Sequence, residues 1–321
     1  MEKDNLSTKS KFFTVENIRN MYKNFGIYLV LIVLVIVAGL LNPIFLQVGN
    51  IKNVLRQVSI NGIISIGMTF VIISGGIDLS VGAVVGATGM TTMILMPKIG
   101  MIPAIIVGLL LGCIVGMLNG TSVYKGMPAF IMTLAMQMTV KGFAYVISNG
   151  QPYPATNQAY SFIGQGTIGP IPMPIVVFLG LAALAHFILK KTSFGRSVYA
   201  LGGNTEAARL SGINIARIRV LVFMIAGLMA SVASIVLTSR LFSCDPLVGD
   251  NYHSDAIAAT VIGGTSMSGG EGSVLKTIVG VLIIGIISNI LNLMHVSSYA
   301  QMIAKGLIIF GAVAIDTWKK R

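Results

Sequence analysis

The sequence predicts an all-α polytopic membrane protein with about 10 transmembrane helices, arranged as two inverted five-helix repeats. Three observations lead to this fold class. Hydrophobic residues make up 55% of the 321 residues and charged residues only 10%, which excludes a soluble globular domain. Basic residues cluster at the ends of apolar runs, as membrane insertion requires. Two motifs also recur five apolar runs apart, in the same order.

The apolar runs divide the chain into predicted regions. These are a cytoplasmic N-terminal segment (1–25), a first transmembrane half with spans 1–6 (26–189), a cytoplasmic loop (190–219), a second transmembrane half with spans 7–10 (220–316) and a cytoplasmic tail (317–321). The predicted spans cover 26–41, 54–74, 78–96, 102–122, 128–148, 173–189, 220–239, 255–266, 275–293 and 297–316. The eighth is short and broken by glycine, so residues 255–276 either span or re-enter. The charge-free segment 149–172 is predicted to be an outer loop or a short interfacial turn.

The distribution of basic residues predicts the orientation. Of the 22 Lys and Arg residues, 16 lie in or beside the segments that ten spans place inside, four lie outside, and two lie within spans. Both termini are therefore expected in the cytoplasm. The same distribution accounts for the net charge of +12 without a nucleic-acid partner.

The fourth predicted span carries a glycine at every fourth position. The stripe consists of Gly108, Gly112, Gly116 and Gly120. Residues four apart share one helix face, and a face without side chains lets another helix approach closely. We expect a tight helix–helix contact along this stripe.

The two recurring motifs indicate an internal repeat. QMTVKG at 137–142 matches QMIAKG at 301–306, and DLSVGAVVGATGM at 78–90 matches DAIAATVIGGTSM at 255–267. An offset of five spans makes the matching segments cross in opposite directions, which is the pattern of an inverted repeat and is common in transporters. Chance resemblance is the alternative, because Gly, Val and Met are frequent in this chain.

One hydrophilic stretch, 195–219, lies between the apolar runs. Asn204 is placed to cap a helix of about two turns, and Gly212 is placed to end it. Glu206 and Arg209 suit the helix dipole and can form an i,i+3 pair. A helix this short needs a partner surface in order to be stable. A solvated loop with an incidental helix is the alternative.

Four charged residues fall within or beside the predicted spans, where charge is expensive. Asp78 and Asp255 each stand at a helix start, so each is either an N-cap at the water interface or a gate or substrate contact. Lys141 can extend its stem outward to the interface, whereas Lys305 lies nearer the middle of its span. All four are candidate intramembrane or gate residues.

Uncharged polar residues recur at helical spacing in two spans. Asn61, Ser65 and Thr69 share one face of span 2, and Asn289 and Asn292 share one face of span 9. Such groups suit a neutral, polyhydroxylated solute that exchanges hydrogen bonds with water for hydrogen bonds with protein. These five residues are the candidates for the translocation path. Interhelical hydrogen bonding is the alternative reading of each.

No catalytic or metal-binding pattern is found in the sequence. The three histidines, His186, His253 and His295, are too scattered for a metal site. Cys113 and Cys244 form no disulfide framework. The chain has no Gly-Lys dipeptide, which excludes a phosphate-binding loop of the GxxxxGK[ST] type. If ATP drives transport here, another polypeptide hydrolyses it.

Four motifs occur in one order along nearly the whole chain: GIDLSVG at 76–82, LGGNTEAARLSGIN at 201–214, DAIAATVIGGTSMSGGEGS at 255–273 and VSSYAQMIAKG at 296–306. Together they resemble the membrane permeases of bacterial ATP-binding-cassette (ABC) sugar importers, most closely the ribose branch. Glu271 departs from that pattern, in which a basic residue is expected.

The resemblance implies a homodimeric permease of the bacterial plasma (inner) membrane, surrounded by lipid, that receives a monosaccharide from an extracytoplasmic binding protein. A separate tandem-domain ATPase would hold ATP and Mg, so no cofactor and no enzymatic site are implied in this chain. Residues 203–213 would form the coupling helix that docks on this ATPase. Its implied coupling residues are Gly203, Asn204, Glu206, Ala207, Ala208, Arg209, Ser211 and Gly212.

The resemblance leaves the sugar open, because permeases for xylose, arabinose, galactose and autoinducer look similar; ribose is the leading candidate. Two other classes of function remain. An ion-coupled secondary transporter of a small polar solute would use Asp78, Asp255 and Lys305 as coupling groups. A membrane-bound enzyme would need an active site, and the sequence offers no plausible one.

Overall fold

The computed structural model describes the backbone of residues 15–318 and the side chains of residues 26–311, 313 and 314. The predictions for the first 14 residues, for the N-terminal basic side chains and for the tail beyond 318 lie outside these residues. The helices are α1 (Val15–Leu41), α2 (Val48–Ile73), α3 (Val81–Ile99), α4 (Met101–Tyr124), α5 (Ala129–Ser148), α6 (Ser161–Gln165), α7 (Met173–Lys191), α8 (Ser193–Gly203), α9 (Thr205–Leu210), α10 (Ile215–Leu241), α11 (Tyr252–Ile262), α12 (Val274–Leu293) and α13 (Ser298–Trp318). The strands are β1 (Tyr153–Pro154), β2 (Thr167–Ile168), β3 (Ile171–Pro172) and β4 (Ser243–Cys244).

The predicted all-helical membrane fold is confirmed. Within the described residues, seven helices are long and apolar enough to cross a membrane: α2, α3, α4, α5, α7, α10 and α12. The apolar part of α1, Gly26–Leu41, is shorter. Helix α13 has 21 residues and lies where the last span was predicted.

The interior of the bundle is built on α2 and α10, which pack against each other. In the most apolar 18-residue stretch of α2, 89% of the residues are buried inside the protein, whereas in that of α5 only 17% are buried. Interior helices in a bilayer contact other helices, and peripheral helices expose apolar side chains to lipid. Helices α4, α5 and α7 are therefore the lipid-facing helices among these spans.

The glycine stripe on α4 makes the predicted close contact, and its main partner is α10. A Cβ atom at Gly112 would overlap Gly227 O and Ser231 Oγ, and one at Gly120 would lie 2.6 Å from Val220 Cα. The contact is reciprocal, because a Cβ at Gly227 would overlap Gly112 O. The backbones of α4 and α10 are therefore in direct contact where the two helices cross.

Helix α11 has 11 residues and is too short to cross a bilayer core, which takes about 20 residues. The chain continues through the non-helical segment 263–273, where Gly264, Gly269 and Gly270 adopt positive φ. Gly270 N donates to Ile73 O at the end of α2, at 2.8 Å. The span predicted at 255–266 is therefore a short helix followed by an irregular segment in which Thr265 and Ser266 are buried.

Two ends of the bundle can be distinguished. We call the "α9 end" the one that carries α8 and α9. There Tyr199 Oη of α8 donates to Gly272 O in segment 263–273 at 2.8 Å, and Arg219 Nη1 near the start of α10 donates to Ser74 O after α2 at 3.1 Å. We call the opposite one the "α11 end". There β1 pairs with β4 antiparallel, with Tyr153 opposite Cys244.

Residues 149–172, predicted to be a loop, contain short ordered elements at the α11 end. Strands β2 and β3 form a two-residue hairpin, and β1 pairs with β4. Tyr160 is fully buried, and its hydroxyl lies 2.7 Å from Thr238 Oγ1 on α10. These tertiary hydrogen bonds order a segment whose Pro and Gly content favours turns.

Gly112→Ala is expected to destabilise the protein, because the new Cβ meets α10 backbone that cannot move aside. Overpacking of this kind costs about 1–3 kcal/mol. Gly142→Ala on α5 is the matched control, since a Cβ added there would meet no neighbouring helix within 4 Å. The midpoint of thermal aggregation in detergent should fall for the first variant only. Equal midpoints for the two variants would contradict the close α4–α10 contact.

Candidate functional site

A cavity of about 200 Å³ opens at the α11 end between the start of α11 and the first half of α2. Two aliphatic side chains, Leu247 and Val248, form part of its wall. Its remaining lining is polar or aromatic and consists of Gln57, Asn61, Asp250, Asn251, Tyr252 and Asp255.

Tight turns between β4 and α11 bring the acidic residues to this cavity. Val248 N donates to Asp245 O, and Asp250 N donates to Leu247 O, both at 3.0 Å. Gly249 packs against the start of α3, where a Cβ at Gly82 would lie 2.7 Å from Gly249 O. The close approach of the two glycines holds this segment over the bundle.

Asp255 and Lys305 form an ion pair between α11 and α13. Lys305 Nζ lies 2.9 Å from Asp255 Oδ2, and the two side chains are 24% and 12% exposed, respectively. Asn61 Nδ2 of α2 donates to the same carboxylate oxygen at 3.3 Å. Three helices thus meet at one carboxylate, which neutralises the intramembrane lysine.

Lys141 of α5 pairs with Asp250, which precedes α11. Its Nζ lies 2.8 Å from Asp250 Oδ1 and 2.9 Å from Oδ2. Both side chains are more than a third exposed. The two lysines found within spans therefore hold the same short segment, 250–255, from two different helices.

The predicted path residues on α2 lie in different surroundings. Asn61 lines the cavity and is 8% exposed, and its Oδ1 has no hydrogen-bond partner among the described residues. Ser65 and Thr69 are fully buried, and each hydroxyl donates to the carbonyl four residues earlier. Thr69 Oγ1 also lies 2.9 Å from Thr277 Oγ1 of α12.

The predicted path residues on α12 form side-chain amide contacts. Asn289 and Asn50 exchange two amide hydrogen bonds, at 2.9 and 3.0 Å. Asn292 Oδ1 accepts from Gln301 Nε2 at 2.8 Å. These contacts join α12 to α2 and to α13 near the α11 end.

Asp78 lies in the link before α3 and is 1% exposed. Its Oδ1 accepts from Ser80 N at 2.9 Å and from Ser80 Oγ at 2.6 Å. Asn119 Nδ2 of α4 approaches the same oxygen at 3.4 Å. The carboxylate organises the turn that starts α3, and it lies in a different part of the bundle from Asp255.

The predicted short helix in the hydrophilic stretch is present as α9 (Thr205–Leu210). Asn204 caps it as predicted, since its Oδ1 accepts from Ala207 N at 2.9 Å, and Gly212 follows it at φ +80°. Arg209 Nη2 lies 2.7 Å from Glu206 Oε2. A second helix, α8, precedes it where a loop was predicted, and the chain breaks between the two helices at Asn204.

One face of α9 is anchored, and the other is free to contact a partner. Ala208 is 3% exposed, whereas Leu210 is 84% exposed. Glu206 and Arg209 are about two-thirds exposed. The remaining predicted coupling residues, Gly203, Ala207 and Ser211, lie on or beside this short helix, where Ser211 Oγ donates to Ala207 O.

Helix α8 connects α9 to the bundle. A Cβ at Gly202 would overlap Ile73 O and lie 2.6 Å from Gly270 N, so α8 touches α2 and segment 263–273 at one point. Tyr199 donates to Gly272 O, and burial raises the pKa of its hydroxyl. Glycine is required where α8 crosses these two backbones.

A second cavity, of about 300 Å³, lies at the α11 end and is basic. It is lined by Arg56, Gly164, Gln165 and Arg240. Arg56 Nε has no hydrogen-bond partner among the described residues. Two guanidinium groups without an acidic residue in the lining favour a negatively charged group.

Sequence reasoning missed several residues of these sites. Asp250 was assigned to a loop, and neither Gln57 nor Tyr252 was singled out. A weak sequence signal for Asp250 was its position only five residues before Asp255, which places two acidic residues close together. No group of three or more His, Cys, Asp or Glu residues in the described part of the chain is arranged to hold a metal ion.

The chain is similar to known permeases over nearly its whole length. The family described as "Branched-chain amino acid transport system / permease component" matches residues 50–313. The ribose import permease protein RbsC of Bacillus subtilis is 42% identical over 99% of both chains. The L-arabinose transport system permease protein AraH of Escherichia coli is 34% identical over 94% of this chain and 92% of its own length. The D-allose transport system permease protein AlsC of the same organism is 37% identical over 94% of this chain and 93% of its own length. No solved structure matches the chain.

Breaking the Asp255–Lys305 ion pair is expected to lower the stability of the folded protein. Asp255→Asn or Lys305→Met alone leaves one charge without its partner in a largely buried site, which costs up to about 3 kcal/mol. The double variant removes both charges and should be more stable than either single variant. Thermal unfolding of the three purified variants measures this coupling.

The more exposed Asp250–Lys141 pair is the internal control. Surface ion pairs are worth about 0–1 kcal/mol, so Asp250→Asn and Lys141→Met should change the unfolding midpoint little. Strictly additive losses in the Asp255–Lys305 cycle would show that the two residues do not interact in the membrane.

Proposed function

Because the chain belongs to the permease-component family of ABC importers, we propose that it is the membrane subunit that admits ribose into a bacterial cell. It is a multi-pass permease of an ABC sugar importer, a transport subunit without a catalytic site or a cofactor of its own. An ATPase and a binding protein are the partners that this family implies. The observation that carries the proposal is 42% identity to a ribose permease over 99% of both chains. Membership in this family favours the importer over the ion-coupled alternative.

The geometry at the α9 end supports a coupling helix at residues 203–213. A six-residue helix with an exposed ion pair and an exposed leucine needs a partner to be stable. We assign that partner as the ATPase. Closure of the ATPase would move α9, and α8 would transmit the movement through Gly202 to α2 and segment 263–273.

Helix α2 links the two ends of the permease. Its 26 residues extend about 39 Å at 1.5 Å per residue. Asn61 lies on the cavity, and Ile73 lies beside Gly202. We propose that α2 and α12 line the translocation path through Asn61, Ser65, Thr69, Asn289 and Asn292, and that the buried hydroxyls face the path in another state of the cycle. The charged residues Asp78, Asp255, Lys141 and Lys305 are the proposed gate residues.

The pattern of helix contacts supports the inverted five-plus-five repeat. Helix α10 packs on α3 and α4, and α2 packs on α11 and α12. Helix α3 packs on α4 and α5, and α11 packs on α12 and α13. Exchanging α2–α5 with α10–α13 therefore leaves this contact pattern unchanged, while α2 and α10 contact each other. The recurring motifs lie on the helices that this exchange pairs, α3 with α11 and α5 with α13.

The proposed topology has ten spans, with both termini and the α9 end in the cytoplasm of a bacterial inner membrane. The two halves, 26–189 and 220–316, flank the cytoplasmic loop 190–219. The α11 end then faces the binding protein. Two copies of the chain would form the permease, one for each half of a tandem ATPase.

Glu206→Arg should abolish uptake of labelled ribose by proteoliposomes that contain the permease, its ATPase and its binding protein. The substitution replaces an exposed carboxylate on the proposed docking helix and leaves the described interior untouched. Lys98→Glu, an exposed charge reversal at the far end of α3, is the control and should retain uptake. Uptake without the ATPase would overturn the importer proposal.

The double variant Glu206→Arg with Arg209→Glu separates two explanations. It restores an i,i+3 ion pair within α9 but reverses the charges that a partner meets. Continued loss of uptake assigns Glu206 to ATPase contact. Recovered uptake would mean that the pair acts only by stabilising α9.

Arg56→Glu should weaken binding of the sugar-binding protein to the reconstituted permease by about tenfold, a typical effect of losing a charge-assisted hydrogen bond. Its basic cavity lies at the end proposed to face that protein. Biolayer interferometry on nanodiscs measures the affinity, with Lys98→Glu as the control. Unchanged affinity would exclude this cavity as the docking point.

A further inference from the structure

The cavity at the start of α11 is lined by Asn61, whose amide oxygen is buried and has no hydrogen-bond partner among the described residues. Asn61 is 8% exposed, lines the cavity, and donates through Nδ2 to Asp255 at 3.3 Å. Its Oδ1 has no hydrogen-bond partner among the described residues. A buried polar atom without a partner destabilises the protein, so a ligand hydroxyl that donates to it would be favoured.

The charges around the cavity cancel. Asp250 is paired with Lys141, and Asp255 is paired with Lys305. Two unpaired carboxylates would attract a cation, but here the ammonium groups of Lys141 and Lys305 already neutralise both carboxylates. The chemistry left for a ligand is that of amides and charge-balanced carboxylates, which exchange hydrogen bonds with hydroxyl groups.

The size and walls of the cavity restrict the ligand further. A volume of about 200 Å³ is smaller than the roughly 300–1,000 Å³ of sites for drug-sized ligands. Tyr252, Leu247 and Val248 also line the cavity and add apolar surface to the polar groups. A small ring with hydroxyl groups at its edge and C–H groups on its face matches both kinds of wall.

From these observations we propose that the permease itself binds one neutral monosaccharide ring in this cavity, between α2 and the start of α11. A sugar hydroxyl competes for the long Asn61–Asp255 hydrogen bond, and rotation of the freed amide lets the buried Asn61 Oδ1 accept from a second hydroxyl. This inference rests on the proposed sugar-import function and adds a binding site on the permease, in addition to the one on its binding protein.

The test measures binding of D-ribose to the full permease in nanodiscs by saturation-transfer NMR, without the ATPase or the binding protein. Asn61→Leu removes the unused acceptor and should weaken binding by about tenfold. Gln57→Leu changes an exposed lining residue and should weaken binding by about threefold without affecting folding. Asn53→Leu, on the same helix but outside the cavity, is the matched control and should bind as wild type does.

The outcomes separate this inference from the proposed function. Suppose that the wild-type complex imports ribose. If the isolated permease then shows no binding, or if Asn61→Leu and Gln57→Leu bind as wild type does, the proposed cavity site is wrong and the importer function is unaffected. If the wild-type complex fails to import ribose, the proposed substrate is wrong. Displacement of ribose by millimolar Na⁺ or Ca²⁺ would also overturn the inference, because it would mean that the paired carboxylates are a cation site.

Discussion

Charges and free backbone groups inside a bilayer have no water to bind, so the protein has to supply their partners. This constraint explains the most irregular part of the permease. Helix α11 stops after 11 residues, and its continuation is held by hydrogen bonds to the end of α2 and to Tyr199. At the α9 end, where this segment lies, these hydrogen bonds within the protein satisfy backbone groups that no helix pairs.

The same constraint gives the two intramembrane lysines a common role. They come from α5 and α13, and both pair with carboxylates in segment 250–255. Since one pair is half-buried and the other is more exposed, the two do not stabilise the segment equally. If segment 250–255 forms part of the proposed gate, both ion pairs have to break when the gate opens.

The proposed mechanical coupling would depend on close backbone contact rather than on large side chains. Gly202 brings α8 against α2 and segment 263–273, and the α4 stripe brings α4 against α10. Contacts between backbones cannot give way as flexible side chains do, so a displacement of α9 would be transferred rather than absorbed. Helix α2 then connects the α9 end to the cavity on which Asn61 lies. The proposed coupling and the proposed sugar site are thus two ends of one helix.

The sequence by itself determined the fold class, the positions of most helices, the cap and stop of α9, and the family. These depend on local signals: apolar run length, glycine spacing, Asn204 before its helix and four ordered motifs. The close contact of the glycine stripe was also predictable, although its partner α10 was not. The repeat remains a prediction that the motifs and the contact pattern support.

Only the tertiary structure decided what each polar residue meets. Asn61, Ser65 and Thr69 share one helix face, yet the first lines a cavity while the other two hydrogen-bond within the interior. The partner of Lys141 proved to be Asp250, which sequence reasoning had left in a loop. Spacing along a helix defines a face, but the neighbours of that face come from helices that are distant in the sequence, as with Asn50 and Asn289, which are 239 positions apart. Helix–helix packing determines those neighbours, because in lipid it is shape and hydrogen bonding between helices, rather than hydrophobicity, that selects the partner.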